Sequence, residues 1–253
     1  MEGIKRAPML SFILKFIIFL LIYSAISTLT DEAVYVKRIA QFFLYVLFAF
    51  ILHREKGVEF HYKFHFHILD FIIAFLLLFS SIIFYEGTIE KLIDTYFNYE
   101  ISLPESEGVM DEMFRYPIPL FLQICVTAPV FEELLMRGYL LKTVSVKYSV
   151  GVGILLNSLF FSFLHFDFVN TLFYFMIGIL LSYIYLKTGS LLHCILLHFS
   201  INFTALLSYY LEFEMPGQNI SISMLLLMGV IIVITMFYFI RKPQQKIAVL
   251  SVK

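Results

Sequence analysis

Glu132 and Glu133 stand side by side in an otherwise apolar run, Ala128-Pro129-Val130-Phe131-Glu132-Glu133-Leu134-Leu135-Met136-Arg137-Gly138. On a helix Glu133 and Arg137 are four apart and share a face, so they read as a pair that neutralises one carboxylate. Glu132 is turned about 100° from Glu133 and is expected to face a different neighbour. No cation at helical spacing remains to partner it. An ionisable group in apolar surroundings is costly to keep, so Glu132 reads as the free, functional carboxylate and Glu133 as the structural one.

Two further runs carry polar groups at helical spacing. In Asn157-Ser158-Leu159-Phe160-Phe161-Ser162-Phe163-Leu164-His165, residues Asn157, Phe161 and His165 recur every four positions and share a face. Asn157 reads as hydrogen-bonding glue between helices. If the chain turns near residues 145–148, counting the rise per residue sets Glu132 level with residue 162. That brings His165 within about one turn of it. A carboxylate and an imidazole at one depth can together deprotonate water. In His193-Cys194-Ile195-Leu196-Leu197-His198-Phe199-Ser200-Ile201-Asn202, residues His198 and Asn202 share a face, and both can donate to an oxygen that gains negative charge. His193 lies off that face and reads as interfacial packing. No Cys, Ser or Thr in these runs is placed as a nucleophile, which favours activated water over a covalent intermediate. Glu132, His165 and His198 are also a two-histidine, one-carboxylate set, so zinc is the alternative. The His-Glu-x-x-His pattern that sets paired ligands on one helix is absent from the sequence.

The elements that carry these residues must be membrane helices. Of 253 residues, 60% are apolar, 15% are charged and 30 are Phe. A soluble domain carries about 25% charge. Mean hydropathy is +0.88. Eight stretches approach the roughly 20 apolar residues that cross a bilayer. They lie at about 10–29, 39–52 (or from near Val34), 68–85, 117–141, 149–166, 168–186, 190–211 and 220–240. Lys5 and Arg6 precede the first, but no small-residue cleavage site follows, so it reads as an uncleaved span. With the amino terminus inside, the inner segments hold Lys5, Arg6, Arg54, Lys56, Lys63, Lys142, Lys147, Lys187, Arg241, Lys242, Lys246 and Lys253. The outer ones hold Lys37, Arg38, Lys91 and Arg115. Twelve against four is the bias expected when basic residues stay inside, and it places both termini in the cytoplasm. The expectation is an all-α bundle of about eight transmembrane helices, one domain over 1–253, with an active-site cavity inside the bundle.

Other features weigh less. The net charge of −1 offers no field to attract nucleic acid. Cys125 and Cys194 lie in apolar runs and read as free buried thiols. Residues 53–67 mix four histidines with aromatic and basic side chains and suit a membrane interface. Asp70 reads as an interfacial anchor or a partner of His67, and Ile89 to Phe97 as a short surface helix.

Glu-Glu-x-x-x-Arg, Phe-x-x-x-His and His-x-x-x-Asn, in this order on successive polar-bearing spans, resemble the CAAX prenyl protease and bacteriocin-processing (Abi) family. The residues are Glu132, Glu133 and Arg137, then Phe161 and His165, then His198 and Asn202, and the resemblance covers about 117–211. It implies an intramembrane glutamate protease without a metal. Glu132, with His165, would activate water against a peptide carbonyl. His198 and Asn202 would form the oxyanion hole, and Glu133, Arg137 and Phe161 would support the site. The substrate would be a peptide or membrane protein in a bacterial cell membrane, such as a leader, pheromone or bacteriocin precursor. Two other classes compete: a non-catalytic immunity protein that binds a bacteriocin, and a proton-coupled transporter. A pure binder need not keep a base and two donors, and no repeat-related halves mark a transporter. Oligomeric state is not readable.

Overall fold

The computed structural model describes residues 7–28, 33–53, 64–97, 115–165, 167, 170–211 and 220–244, and these are all-helical, with no strand among them. The helices are α1 (Ala7–Ser27), α2 (Val34–His53), α3 (Ile68–Tyr85), α4 (Pro117–Lys147), α5 (Val150–Leu164), α6 (Thr171–Thr188), α7 (Leu191–Tyr210) and α8 (Ile222–Arg241). Each coincides with one apolar stretch of the sequence. Five are long and apolar enough to cross a membrane: α3 with its extension to Ile93, then α4, α6, α7 and α8. The described apolar stretch of α1, Leu14–Ser27, and helix α5 are shorter. Leu226, Val230, Val233 and Ile234 of α8 are all more than half exposed. An apolar outer surface of this kind needs lipid around it.

Two boundaries differ from expectation. The stretch 89–97, expected as a separate surface helix, continues α3 through a π turn at Glu86–Glu90 and a last segment, Lys91–Phe97. Gly87 faces α8 closely there, since a Cβ would stand 2.6 Å from Leu225 Cδ2 and would have to push that side chain aside. Helix α4 runs to Lys147, past the expected 141, and the chain turns at Tyr148 and Ser149. Ser149 caps α5 by accepting from the Val152 N–H at 3.3 Å.

Chain neighbours pack together, and several pairs meet out of order. Helices α1 and α2 pair, and α5 lies along both the last turns of α4 and the length of α6. Out of order, α8 lies along α3, and α7 packs on the middle of α4. Helices α6 and α7 are joined by a two-residue turn. Gly189 takes it in the left-handed region (φ 68°, ψ 8°), and its N–H caps Tyr185 O at 2.7 Å. Close approach of α5 and α6 depends on Gly178, where a Cβ would lie 2.9 Å from Ser158 Cα. Asn157 joins the same two helices, Nδ2 donating to Ser182 Oγ at 2.9 Å. The main core collects Phe16, Phe19, Phe48, Phe131, Leu135, Met136, Phe161, Leu181 and Leu197 from helices α1, α2 and α4 to α7.

Candidate active site

Helix α4 is not uniform. Leu122–Thr127 and Leu134–Leu140 are π-helical, and the α-helical Ala128–Glu133 lies between them. Wider turns of this kind recur at functional sites, since they re-aim side chains. Pro129 accounts for part of the first, because it has no N–H to give. The Ala128 N–H goes to Gln123 O. Ile124 O would accept from residue 128 in an α-helix or residue 129 in a π-helix, so both partners are gone. Asn202 of α7 takes over, its Nδ2 donating to Ile124 O at 2.8 Å. A buried carbonyl without a partner costs about 1–3 kcal/mol, so this side-chain bond has a clear structural value.

Glu133 and Arg137 form the expected pair, both fully buried, with Arg137 Nη1 2.8 Å from Glu133 Oε1. Arg137 Nη2 donates to Gly178 O at 3.1 Å. Its guanidinium carbon lies 5.0 Å from the centre of the Phe161 ring, a cation–π contact. His198 Nδ1 lies 2.9 Å from the same Glu133 oxygen. A carboxylate paired with arginine accepts, so Nδ1 carries the proton. The other ring nitrogen, Nε2, is 3.7 Å from Glu132 Oε2. The expectation that Glu132 faces a different neighbour from Glu133 is therefore corrected. A 100° step separates their Cβ atoms, yet two flexible side chains can reach the two edges of one imidazole seated between them. Glu132 is the more accessible, its side chain 24% exposed against 4% for His198.

His165 ends α5, and its Nδ1 donates to Phe161 O at 2.9 Å, which leaves the Nε2 lone pair open. Its ring stacks on Tyr174 of α6 with centroids 3.9 Å apart. Phe161 touches the rings of both His165 and His198, at 4.8 and 5.6 Å between centroids. Glu132, His198 and Asp167 are the ionisable groups whose fields reach His165. The site residues read from the motifs thus converge on one place. Asn202 joins through the α4 backbone, with its Nδ2 on Ile124 O.

Glu132 opens onto a cavity of about 690 Å³. Its wall is Phe131, Glu132 and Leu135 of α4, Leu164 of α5, Tyr45 of α2, and Phe16, Phe19, Leu20, Tyr23, Ser24 and Ser27 of α1. Seven of these eleven residues lie on α1 and α2, which carry no motif, and were missed from the sequence. The Tyr23 and Tyr45 rings lie 5.7 Å apart between centroids, and Tyr45 lies within electrostatic reach of Glu132. Gln123 Nε2 donates to the Tyr23 hydroxyl at 2.9 Å. Arg38 donates to Gln123 Oε1, which fixes the orientation of that amide, since guanidinium only donates. The one available signal was a tyrosine and an arginine seven residues apart on α2, two turns of one face.

The remaining polar groups gather elsewhere. Asp70 pairs with Lys242 and accepts from Tyr238 Oη at 2.7 Å, so its partners come from α8 and its edge, not from His67. His193, fully buried, accepts the His67 N–H at Nε2 over 3.1 Å. Residues 54–63 of the histidine-bearing stretch lie outside the described residues, as do Lys5, Arg6 and the tail beyond 244. Cys125 and Cys194 are free and buried. Among the described residues no group of three or more His, Cys, Asp and Glu side chains is set to hold a metal ion.

Residues 114–204 match the model of a family described as Rce1-like, type II CAAX prenyl endopeptidase Rce1-like. The segment begins just before α4 and ends two residues past Asn202, so it encloses all three motifs. The resemblance read from those motifs is to this same group of prenyl endopeptidases. No curated protein and no solved structure matches the chain. The apolar helices and the family match together mark a membrane protein of protease type.

Proposed function

We propose that the protein is an intramembrane endopeptidase in which Glu132 activates water. One observation carries the reading: the accessible Glu132 on the cavity wall faces an imidazole whose other edge is held by the buried Glu133–Arg137 pair. With its proton on Nδ1, His198 presents a lone pair to Glu132. Two acceptors 3.7 Å apart are too far for a direct bond and close enough for one water to touch both. That water gives a proton to Glu132 as its oxygen attacks the peptide carbonyl. Glu132 then passes the proton to the departing amine, so the C–N bond breaks with charge balanced. His165, its Nε2 open, is a second acceptor for the water or the substrate amide. Buried Glu133 and Arg137 orient His198 as the carboxylate of a serine-protease triad orients its histidine.

The finer features belong to the same proposal. The bundle crosses the bilayer eight times as one domain, with both termini in the cytoplasm of a bacterial cell. The mechanism uses no metal. The substrate is a peptide or membrane-protein segment, with leader, pheromone and bacteriocin precursors as the settings that fit it, including self-immunity.

The test is cleavage by purified protein in detergent or lipid. The substrates are a pool of precursor peptides and prenylated carboxy-terminal peptides. Wild type is set beside Glu132→Gln, with and without a chelator. The expected result is a fall of about 10²–10⁴ in rate for Glu132→Gln and no response to the chelator. Loss of cleavage on chelation would move Glu132, His165 and His198 into a metal site. Equal activity of both proteins would sink the mechanism.

A further inference from the structure

We propose that the cavity takes its peptide from the outer side of the membrane, so that the substrate is a segment already carried across it. The proposal rests on the peptidase reading and on the crossing pattern proposed with it. Helix α1 lines the cavity with Phe16, Phe19, Leu20, Tyr23, Ser24 and Ser27. Their spacing puts them on one face of the helix. From Phe16 to Ser27 that face is about 16 Å long, counted from the rise per residue. Its character changes along the way. Phe16 and Phe19 are 4% and 5% exposed. Leu20 and Tyr23 are half-buried, and Ser24 and Ser27 are exposed. The cavity is therefore closed at its phenylalanine end and open at its serine end.

The closed end is sealed by packing. Phe48 of α2 lies against Phe16 and Phe19, with centroids 5.9 and 4.8 Å apart. Phe160 of α5 meets Phe16 at 5.1 Å. Helix α4 continues the seal beyond Glu132, where Leu135, Met136, Tyr139, Leu140 and Val144 are all at most 4% exposed. Roughly three turns of helix are thus packed solid between Glu132 and the α4–α5 turn, and such a core has no gap for a peptide. The open end is polar. Ser27 Oγ accepts from Gln41 Nε2 at 3.1 Å, and Gln123 holds the Tyr23 hydroxyl. Tyr23 meets Gln123 near the start of α4, so α1 and α4 run antiparallel and the mouth lies where α4 begins. Lys142 and Lys147 lie at the other end of α4. Basic residues stay inside, so the mouth faces outward in the proposed crossing pattern. A bound segment sets an apolar side chain on Phe16 and Phe19 and leaves its polar part at the serine rim. The water that Glu132 activates enters by the same mouth. A step that exports the peptide across the membrane has to precede its cleavage.

The experiment uses the full-length protein in sealed vesicles of both orientations. The probe is a peptide that wild type cleaves in detergent, made membrane-impermeant by a charged dye, and detergent-opened samples report the total enzyme. Right-side-out vesicles should cleave it while sealed. Inverted vesicles should cleave it only after they are opened. A second arm replaces Cys125 and Cys194 and adds Ser24→Cys at the mouth. A bulky, impermeant thiol reagent applied from outside should abolish cleavage relative to the unlabelled rate of the same variant. Ser221→Cys, at the exposed start of α8 and away from the cavity, should be labelled from the same side and keep its rate. Sealed right-side-out vesicles that do not cleave, or sealed inverted vesicles that do, would overturn the proposal, as would full activity of the labelled Ser24→Cys protein. In each case a dead Glu132→Gln beside an active wild type in detergent leaves the peptidase reading standing. Wild type as inert as Glu132→Gln in detergent would remove that reading, and this one with it.

Discussion

At the residue scale, Arg137 does more than neutralise a charge. It ties Glu133 to Gly178 O and covers Phe161, so three helices meet on one guanidinium. Arg137→Met leaves a buried carboxylate with His198 as its remaining partner. Removing one member of a buried pair costs about 3–5 kcal/mol, and thermal unfolding in detergent should show a correspondingly large fall in midpoint. Glu133→Gln is a different test. The amide can still accept, so stability should suffer less, but it can also turn its NH₂ to His198 and permit the wrong tautomer. A rate loss on the order of 10²–10⁴ is expected, by analogy with the carboxylate of a serine-protease triad, and the cleavage assay measures it. A Glu133→Gln protein with full activity would show that His198 needs no orienting carboxylate.

At the scale of elements, α4 is shaped by what Pro129 lacks. Asn202→Ala orphans Ile124 O and should cost about 1–3 kcal/mol. Pro129→Ala restores an N–H one turn beyond Ile124. In the double variant, the penalty of Asn202→Ala should shrink, and a double-mutant cycle on unfolding midpoints reads the coupling. Strictly additive effects would mean that Pro129 is not the cause. The contact between α5 and α6 makes a second prediction. Gly178→Ala puts a methyl against Ser158 backbone and displaces the carbonyl that holds Arg137. A loss of about 1–3 kcal/mol is expected from such overpacking. These elements also mark what the sequence could and could not convey. Apolar runs located every helix, since burial in lipid leaves a long, unambiguous signal. Spacing of four located Glu133–Arg137, Phe161–His165 and His198–Asn202. The π turns left no such mark. They depend on which N–H groups are already spent, and the shared approach of Glu132 and Glu133 to one imidazole was missed because it depends on side-chain reach, which spacing does not record. Tyr23 and Tyr45 escaped for a related reason: a tyrosine in an apolar helix looks the same whether it faces lipid or a catalytic cavity.

At the scale of the whole molecule, the proposed eight crossings fix which ends share a side. In that proposal the α4–α5 turn lies inside and the start of α8 outside, the arrangement that keeps basic residues inside. On a background with Cys125 and Cys194 replaced, Tyr148→Cys should react with a membrane-impermeant thiol reagent only in inverted vesicles, and Ser221→Cys only in intact cells. Labelling of both from one side would break the model. The cavity also has a consequence for how such proteins diversify. The proposed chemistry sits on α4 to α7, inside the segment that matches a protease family, while much of the cavity wall sits on α1 and α2, outside it. The proposed function thus divides reactivity and taste between separate stretches of chain. Under that function, a chimera exchanging those two helices should carry its donor's diet with it and leave the cutting machinery untouched.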